Sequence, residues 1–190
     1  MDLLEILRVD YPGVSEASAR ALQDVAVPVT VKKMDYLVEQ GKRSNHIYFI
    51  TGGLFRGTAL YNGQEDTLLF GIAGDPFASV HSLVNGEPAQ FSMQALEDSS
   101  ALAVTFSDFR RLIDERPDLM RWWSTVLLLQ VYCLERRYVW IGTCDATQRY
   151  KTMLKIRSSI INRIPLKYVA QYLNVTPETL SRIRAKIAKE

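Results

Sequence analysis

"VAQYLNVTPETLSRIRAKIAKE", residues 169–190, decides how this chain is read. Between Leu166 and Ala185 the apolar residues fall at Val169, Leu173, Val175, Leu180 and Ile183, with small Ala170 beside the first. That spacing suits two short helices crossing at a tight corner. Asn174 stands at the turn, where a residue that tolerates left-handed backbone is wanted. Thr176 reads as the N-cap of the last helix, and Pro177 as its first residue, where a missing N–H costs nothing. With Leu180, Ile183 and Ile187 turned inward, the outward face presents Thr176, Pro177, Glu178, Ser181 and Arg182, followed by Lys186 and Lys189.

Such a face suits the major groove of double-stranded DNA. Arginine can give two parallel hydrogen bonds to the O6 and N7 acceptors of guanine, glutamate can accept from the N4 amine of cytosine, and serine can bond to either kind of edge. Lysines and the remaining arginines meet phosphates, which position a protein and make its affinity fall with salt. Glu178 and Arg182 are four residues apart and can also pair with each other, which would orient the arginine.

The charge distribution agrees. Residues 1–144 hold 13 Lys and Arg against 18 Asp and Glu, a net −5, whereas residues 145–190 hold 10 against 3, a net +7. The chain's overall +2 hides this concentration of bases in its last quarter. Its 190 residues, 47% apolar, are enough for one large or two small domains with a real core. The first ten residues, "MDLLEILRVD", are acidic where a secretory leader needs bases, and the apolar run at 126–134 is interrupted by Gln130 and too short to span a bilayer. A cytoplasmic protein with no membrane partner is expected. Cys133 and Cys144 are the only cysteines, with no CxxC and no Cys/His cluster, so neither a disulfide framework nor a metal or cofactor site is indicated.

Upstream, residues 118–141 form the longest helical pattern. Met120, Ser124, Leu127, Val131, Leu134, Tyr138 and Ile141 recur at alternating spacings of four and three, and Gly142 supplies a stop. A helix of about 36 Å needs a partner along its length, and a second copy of the chain is the expected one. Trp122 and Trp123 offer a contact to the chain's own N-terminal part. Before this helix, "AVPVTVKK", "HIYFITGGLFRGTALYNGQEDTLLFG" and "FSMQALEDSSALAVTF" are β-branched and aromatic runs broken by Gly-Gly, Asn-Gly and Asp-Ser turns. They predict an antiparallel barrel or jelly roll after a short N-terminal helical segment, with Asn62-Gly63 as the clearest hairpin. Ser107 reads as the cap of a further helix, "DFRRLIDER", that ends before Pro117. The expected fold is α+β: a β-roll domain over 1–116, a dimerisation helix over 117–142 and a helix-turn-helix domain over 143–190.

In this order, these parts resemble the bacterial cyclic-AMP receptor and fumarate-nitrate regulator (Crp-Fnr) family of transcription factors along essentially the whole chain. The most specific stretch is "TPETLSR", similar to the family's E-x-x-S-R recognition pattern at Glu178, Ser181 and Arg182. By that resemblance these three would read a half-site like the TTGA of the Fnr branch, within a palindrome. Pro177 stands where the cyclic-AMP receptor branch has another arginine. The chain ends soon after the recognition helix, so the wing that commonly follows is expected to be missing or displaced.

The effector pocket departs further from the family pattern. Members that bind a cyclic nucleotide carry a Gly-Glu pair for the ribose and, about ten residues on, Arg then Ser or Thr for the phosphate. Aligned on "GDPFASVHSLVNGEPAQFSMQALED", Gly74-Asp75 takes the first place, while Ala89 and Gln90 take the phosphate positions. Loss of a two-bond cation implies a tenfold to several hundredfold loss of affinity, so cyclic AMP is not expected as a tight ligand. Asp75, Ser79, His81, Ser82, Ala89, Gln90 and Ser92 are the candidate lining for another small-molecule effector, with loop solvation as the plainer role, and Arg56 is a candidate replacement cation. No cysteines stand near the N-terminus for an oxygen-sensing cluster. His81 is the one candidate haem ligand, and His46 and His81 lie too far apart in sequence for a cupin-type metal set.

The expected function is a homodimeric, non-enzymatic DNA-binding regulator, with RNA polymerase as a candidate partner. Two readings from other classes stand beside it: a ligand-binding module acting on a protein partner, and a cupin-like metalloenzyme. Coupling is expected through packing changes in the barrel that shift the long helices and reset the spacing of the recognition helices.

Overall fold

The computed structural model describes residues 3–10 and 13–189, and its class is the α+β one expected. Helices α1 (Leu3–Asp10) and α2 (Glu16–Asp24) precede strands β1 (Val27–Val31), β2 (Tyr36–Val38), β3 (His46–Gly52), β4 (Leu54–Tyr61), β5 (Gln64–Ile72) and β6 (Pro76–Ala78). Helix α3 (Val80–Asn85), strands β7 (Ser92–Ala95) and β8 (Ser99–Thr105), and helices α4 (Phe106–Glu115), α5 (Pro117–Thr143), α6 (Ala146–Ile156), α7 (Leu166–Tyr172) and α8 (Pro177–Ile187) complete the chain. Two compact units are present. One comprises Met1–Glu65 and Leu69–Leu127, the other Leu128–Glu190 with Asp66–Leu68, so the division falls inside α5.

In the first unit the strands form two antiparallel four-stranded sheets, ordered β1-β8-β3-β6 and β2-β7-β4-β5. Strand β3 shows why the first sheet reads as a continuous apolar run. Ile47 and Phe49 point to one face and pack with Leu3, Leu7, Leu22, Leu102, Val104, Phe109 and Trp122, whereas Tyr48 and Ile50 point to the other and pack with Val31, Phe55, Phe77 and Met93. Helices cover one face and the second sheet covers the other, so Ile47 to Ile50 are all buried, while His46, Thr51 and Gly52 at the strand's ends are half-buried. Asn62 (φ 50) and Gly63 (φ 78) both have left-handed backbone, the two-residue β4–β5 turn expected of Asn-Gly.

The helical side of the first sheet is fastened by aromatic rings. Phe109 of α4 lies between Trp123, at 4.8 Å, and Trp122, at 6.4 Å, and Trp122 in turn meets Phe49 at 5.9 Å. The first half of α5 therefore packs within its own unit, the use foreseen for the tryptophans. Two expected boundaries move. Thr105, not Ser107, caps α4: its hydroxyl accepts from the Asp108 N–H at 3.1 Å, while Ser107 is exposed. Gly142 does not stop α5, which runs on to Thr143, and at that end Arg149 Nη1 donates to the carbonyls of Ile141 (3.4 Å) and Cys144 (2.9 Å), two of the groups a helix terminus leaves without intrahelical partners.

Asp118, in the first turn of α5, accepts hydrogen bonds from the N–H of Ser15 and the hydroxyl of Ser18, both at 2.8 Å, and from the N–H of Leu119 at 3.0 Å. Burial alone pushes its carboxyl up, but the bonds from Ser15, Ser18 and Leu119 outweigh it and hold the group at about 2, below its ordinary 3.8. A folded-state value below the unfolded one gives stability that is present above the unfolded value and lost as pH falls through the folded one. Asp118→Asn is expected to lower stability at neutral pH by on the order of 1–2 kcal/mol, solvent screening allowed for. The difference should shrink as pH falls from about 4 towards 2. Urea denaturation of both proteins across that range checks it.

Candidate nucleic-acid interface and effector-type loop

The second unit is built around α7, α8 and the tight turn between them. Helix α8 packs on both α6 and α7. Leu180 and Ile183 are buried with Met153, Tyr150, Ile160, Ile164, Val169, Ala170 and Leu173, and Ile187 is half-buried. Between α7 and α8, Asn174 has φ 53, the left-handed conformation that lets the chain turn within three residues while the Val175 N–H still reaches the Ala170 carbonyl at 3.0 Å. The Thr176 hydroxyl then accepts from the Thr179 N–H at 3.2 Å, and Pro177 occupies the first helical position.

This geometry leaves Thr176, Pro177, Glu178, Ser181, Arg182 and Lys186 exposed on α8, with Leu180 and Ile183 beneath them. Hydrogen bonds from its own backbone N–H and the Thr176 hydroxyl, then the charge of Arg182, hold the Glu178 carboxyl below its ordinary value. It is therefore ionised at neutral pH and can act only as an acceptor. The Arg182 guanidinium makes its hydrogen bond to Thr179, with Nη2 at 3.5 Å from Oγ1, the long limit of such a bond. Among the described residues Glu178 and Arg182 form no direct ion pair, and both remain exposed. At the ends of α6 and α7 lie two devices that sequence reading missed. Asp145 and Gln148 form a reciprocal capping box at the start of α6. Arg137 of α5 sits over the Tyr172 ring at 4.4 Å and donates to the Tyr172 carbonyl at 3.3 Å, tying α7 to the second half of α5.

On α5 the expected seam is exposed at Met120, Leu127, Val131, Leu134 and Tyr138, the last two at 66% and 85%, while Ile141 is half-buried. Leu128, Tyr132 and Val139 add a second exposed apolar row beside it. This is a large unpartnered apolar surface for one chain.

Of the seven residues expected to line an effector pocket, Asp75 lies in the β5–β6 turn, Ser79, His81 and Ser82 at α3, Ala89 and Gln90 in the segment that follows, and Ser92 on β7. Asp75 closes the β5–β6 turn, accepting from the Ile72 N–H at 3.0 Å. Ser79 caps α3, and the Ser82 hydroxyl donates to the Glu87 carbonyl at 2.7 Å. His81 is held by Glu87 and Asn85, both at 3.1 Å. Buried Ala89 exchanges backbone bonds with Gly41 and Lys42, and Gln90 is exposed. Ser92 lies on β7, accepts from the Gln40 N–H at 2.8 Å, and borders a cleft of about 240 Å³ with Tyr36, Thr58 and Glu65. Interior space nearby is taken by the chain itself: Leu69 lies over Gly57, and Met93 and Ile50 over Gly71, closer than any added Cβ would allow.

Arg56, expected as a solvated strand residue or a replacement cation, is neither. It is 2% exposed, and its guanidinium donates to Gln94 Oε1 at 2.9 and 2.7 Å and to Glu65 Oε2 at 2.6 Å. The pairing of β4 with β7 sets Arg56 directly opposite Gln94, on the face of the sheet away from Phe55 and Met93. Its charge is already compensated. Among the described residues no group of three or more His, Cys, Asp or Glu side chains is placed to hold a metal ion, and no helix is long and apolar enough to cross a membrane.

Residues 28–116 match the cyclic nucleotide-binding domain family. Among solved structures, FixK2 from Bradyrhizobium japonicum is similar with a TM-score of 0.76 at 19% identity, over 87% of this chain and 85% of that one. The c-di-GMP responsive global regulator CLP of Xanthomonas campestris gives 0.74 at 12% identity over 92% of each chain, and a CooA mutant from Carboxydothermus hydrogenoformans gives 0.73 at 19% over 100% and 85%. At these identities the likeness shows the shared fold: a β-roll followed by a helical C-terminal region. Patatin-like phospholipase domain-containing protein 7 of rat and of mouse is 25% identical over 119 residues, 63% of this chain. The chain spans 8% of the length of these curated relatives.

Proposed function

We propose that this chain is a Crp-Fnr-type transcription regulator, a non-enzymatic homodimer that binds a palindromic site on double-stranded DNA through α8. The observation that carries the reading is the exposed row Glu178, Ser181 and Arg182, held outward by buried Leu180 and Ile183 on a helix with a defined start. An ionised carboxylate and a guanidinium in that row supply an acceptor and a two-bond donor, the pair that distinguishes cytosine and guanine edges in the major groove. The exposed apolar face of α5 supports a twofold partner, which would present two such helices about one helical turn of DNA apart. Residues 1–116 serve as the sensor domain, 117–142 as the dimer helix and 143–190 as the DNA-binding domain. RNA polymerase remains a candidate partner of the DNA-bound form.

Cyclic AMP is not a tight ligand in this reading. The loop around α3 carries Ala89 and Gln90 at the phosphate positions, its serines are bonded within the loop, and Arg56 is engaged by Glu65 and Gln94. Selection of bound duplexes from a random library by the purified chain tests the whole proposal. An inverted repeat with half-sites one turn apart is the expected product, and recovery of duplexes with no common sequence would overturn it.

A further inference from the structure

The two sheets of the first unit end on the same flank in strands that do not pair with each other, β1 in one and β2 in the other. Between them runs a cleft of about 370 Å³ whose walls include Val29, Val31, Leu37, Ala103, His46 and Tyr48. Sequence explains the space. The inward residues of β8 are Ala101 and Ala103, while its larger Leu102 and Val104 face the helices. Across the first sheet the register places Val27, Ala103, Tyr48 and Phe77 in one row, so a methyl group separates β1 from the phenol of β3 and leaves room above itself.

Tyr48 is 9% exposed, and among the described residues its hydroxyl has no protein hydrogen-bond partner. The oxygen is not sealed from solvent either, and the residue lines the cleft. A tyrosine this buried ordinarily finds a partner for its O–H. His46, two residues earlier on the same face, has its ring centroid 5.8 Å from that of Tyr48, and its imidazole also lacks a protein hydrogen bond among the described residues. Two polar side chains thus share a cleft walled by Val27, Val29, Val31, Leu37 and Ala103, with Thr30, Asp35 and Tyr36 beside them, a mix of apolar walls and few polar groups that suits a small molecule. Among the described residues no Lys or Arg lines the cleft, and exposed Asp35 borders it. An anion would meet like charge with no counter-ion, and a cation would be desolvated among valines.

We infer that this flank cleft binds a small, uncharged, largely apolar ring compound bearing one hydroxyl or carbonyl, which hydrogen-bonds to Tyr48 and His46. The site is separate from the α3 loop and stands whether or not the chain reads DNA. The test titrates the full-length protein with phenol and cyclohexanone by calorimetry and by amide chemical shifts, with toluene, benzoate and cyclic AMP as comparators. Phenol is expected to saturate and to move the amides of Val29, Tyr48 and Ala103. Tyr48→Phe, which keeps the ring and the fold, should weaken phenol about tenfold while leaving toluene unchanged, the value of one hydrogen bond. Val29→Phe, which fills the cleft, should abolish saturation, with unchanged unliganded melting as the control. Phenol binding no better than toluene, or unaffected by Tyr48→Phe, would overturn the site. Benzoate or cyclic AMP binding there as tightly as phenol would overturn the ligand class.

Discussion

Leu134→Glu is expected to leave a folded chain that binds a palindromic duplex about a hundredfold more weakly than its parent. Leu134 is exposed in the single chain and belongs to the row Met120, Leu127, Val131, Leu134 and Tyr138. Across a twofold axis each seam residue faces its own copy or a near neighbour, so one substitution sets two carboxylates against each other in an apolar contact. In a dimer the second half-site is captured at high effective concentration once the first is bound, and that gain is lost with the partner. Sedimentation should show a single chain, circular dichroism an unchanged helical content, and gel shift the fall in affinity. A variant that stays dimeric, or a monomer that binds the palindrome undiminished, would sink the reading of α5.

The second large effect is expected at Arg182. Replacing it with alanine should cost about 1–3 kcal/mol against the preferred site and relax the choice of base at one position of each half-site, because a two-bond contact to guanine is removed. Lys186→Ala should instead weaken all duplexes alike and reduce the slope of affinity against salt by about one. Both residues are exposed on α8, and neither contributes to its buried underside, so a change in binding is not a change in folding. Parallel measurements on the selected palindrome, on its single-base variants and on unrelated DNA separate the two roles. Equal and uniform losses from both substitutions would show that α8 meets only phosphates.

Legibility followed the range over which each signal acts. Asn174, Thr176 and Pro177 were readable because a left-handed turn, a cap and a first helical position are set by the residue and its immediate neighbours. Asn62-Gly63 was readable for the same reason. The end of α5 lies one residue past Gly142, and the bonds that Arg149 of the next helix gives to the carbonyls of Ile141 and Cys144 there are not written in the local sequence. Alternation along β4 gives the side of the sheet on which Arg56 lies but not what covers that side, so its burial was invisible. A Gly-Asp pair also serves a tight turn, and here Gly74, at φ 94, makes one in which the Asp75 carboxylate accepts from the Ile72 N–H, a use that the two letters alone do not reveal. The flank cleft depends on Ala103 standing between residues 27 and 48 in space, a neighbourhood created only when the strands pair.

The guanidinium of Arg56 also shapes how this sequence can drift. That group is enclosed by protein, so its charge is met by neighbouring side chains and not by bulk water. Glu65 neutralises it and Gln94 holds its orientation while donating onward to the Met34 carbonyl. Loss of either companion strands a charge in a poor solvent, whereas exchanging all three for apolar residues does not. Descendants of this chain should therefore carry positions 56, 65 and 94 as one inherited package, kept whole or replaced whole, with intermediates short-lived.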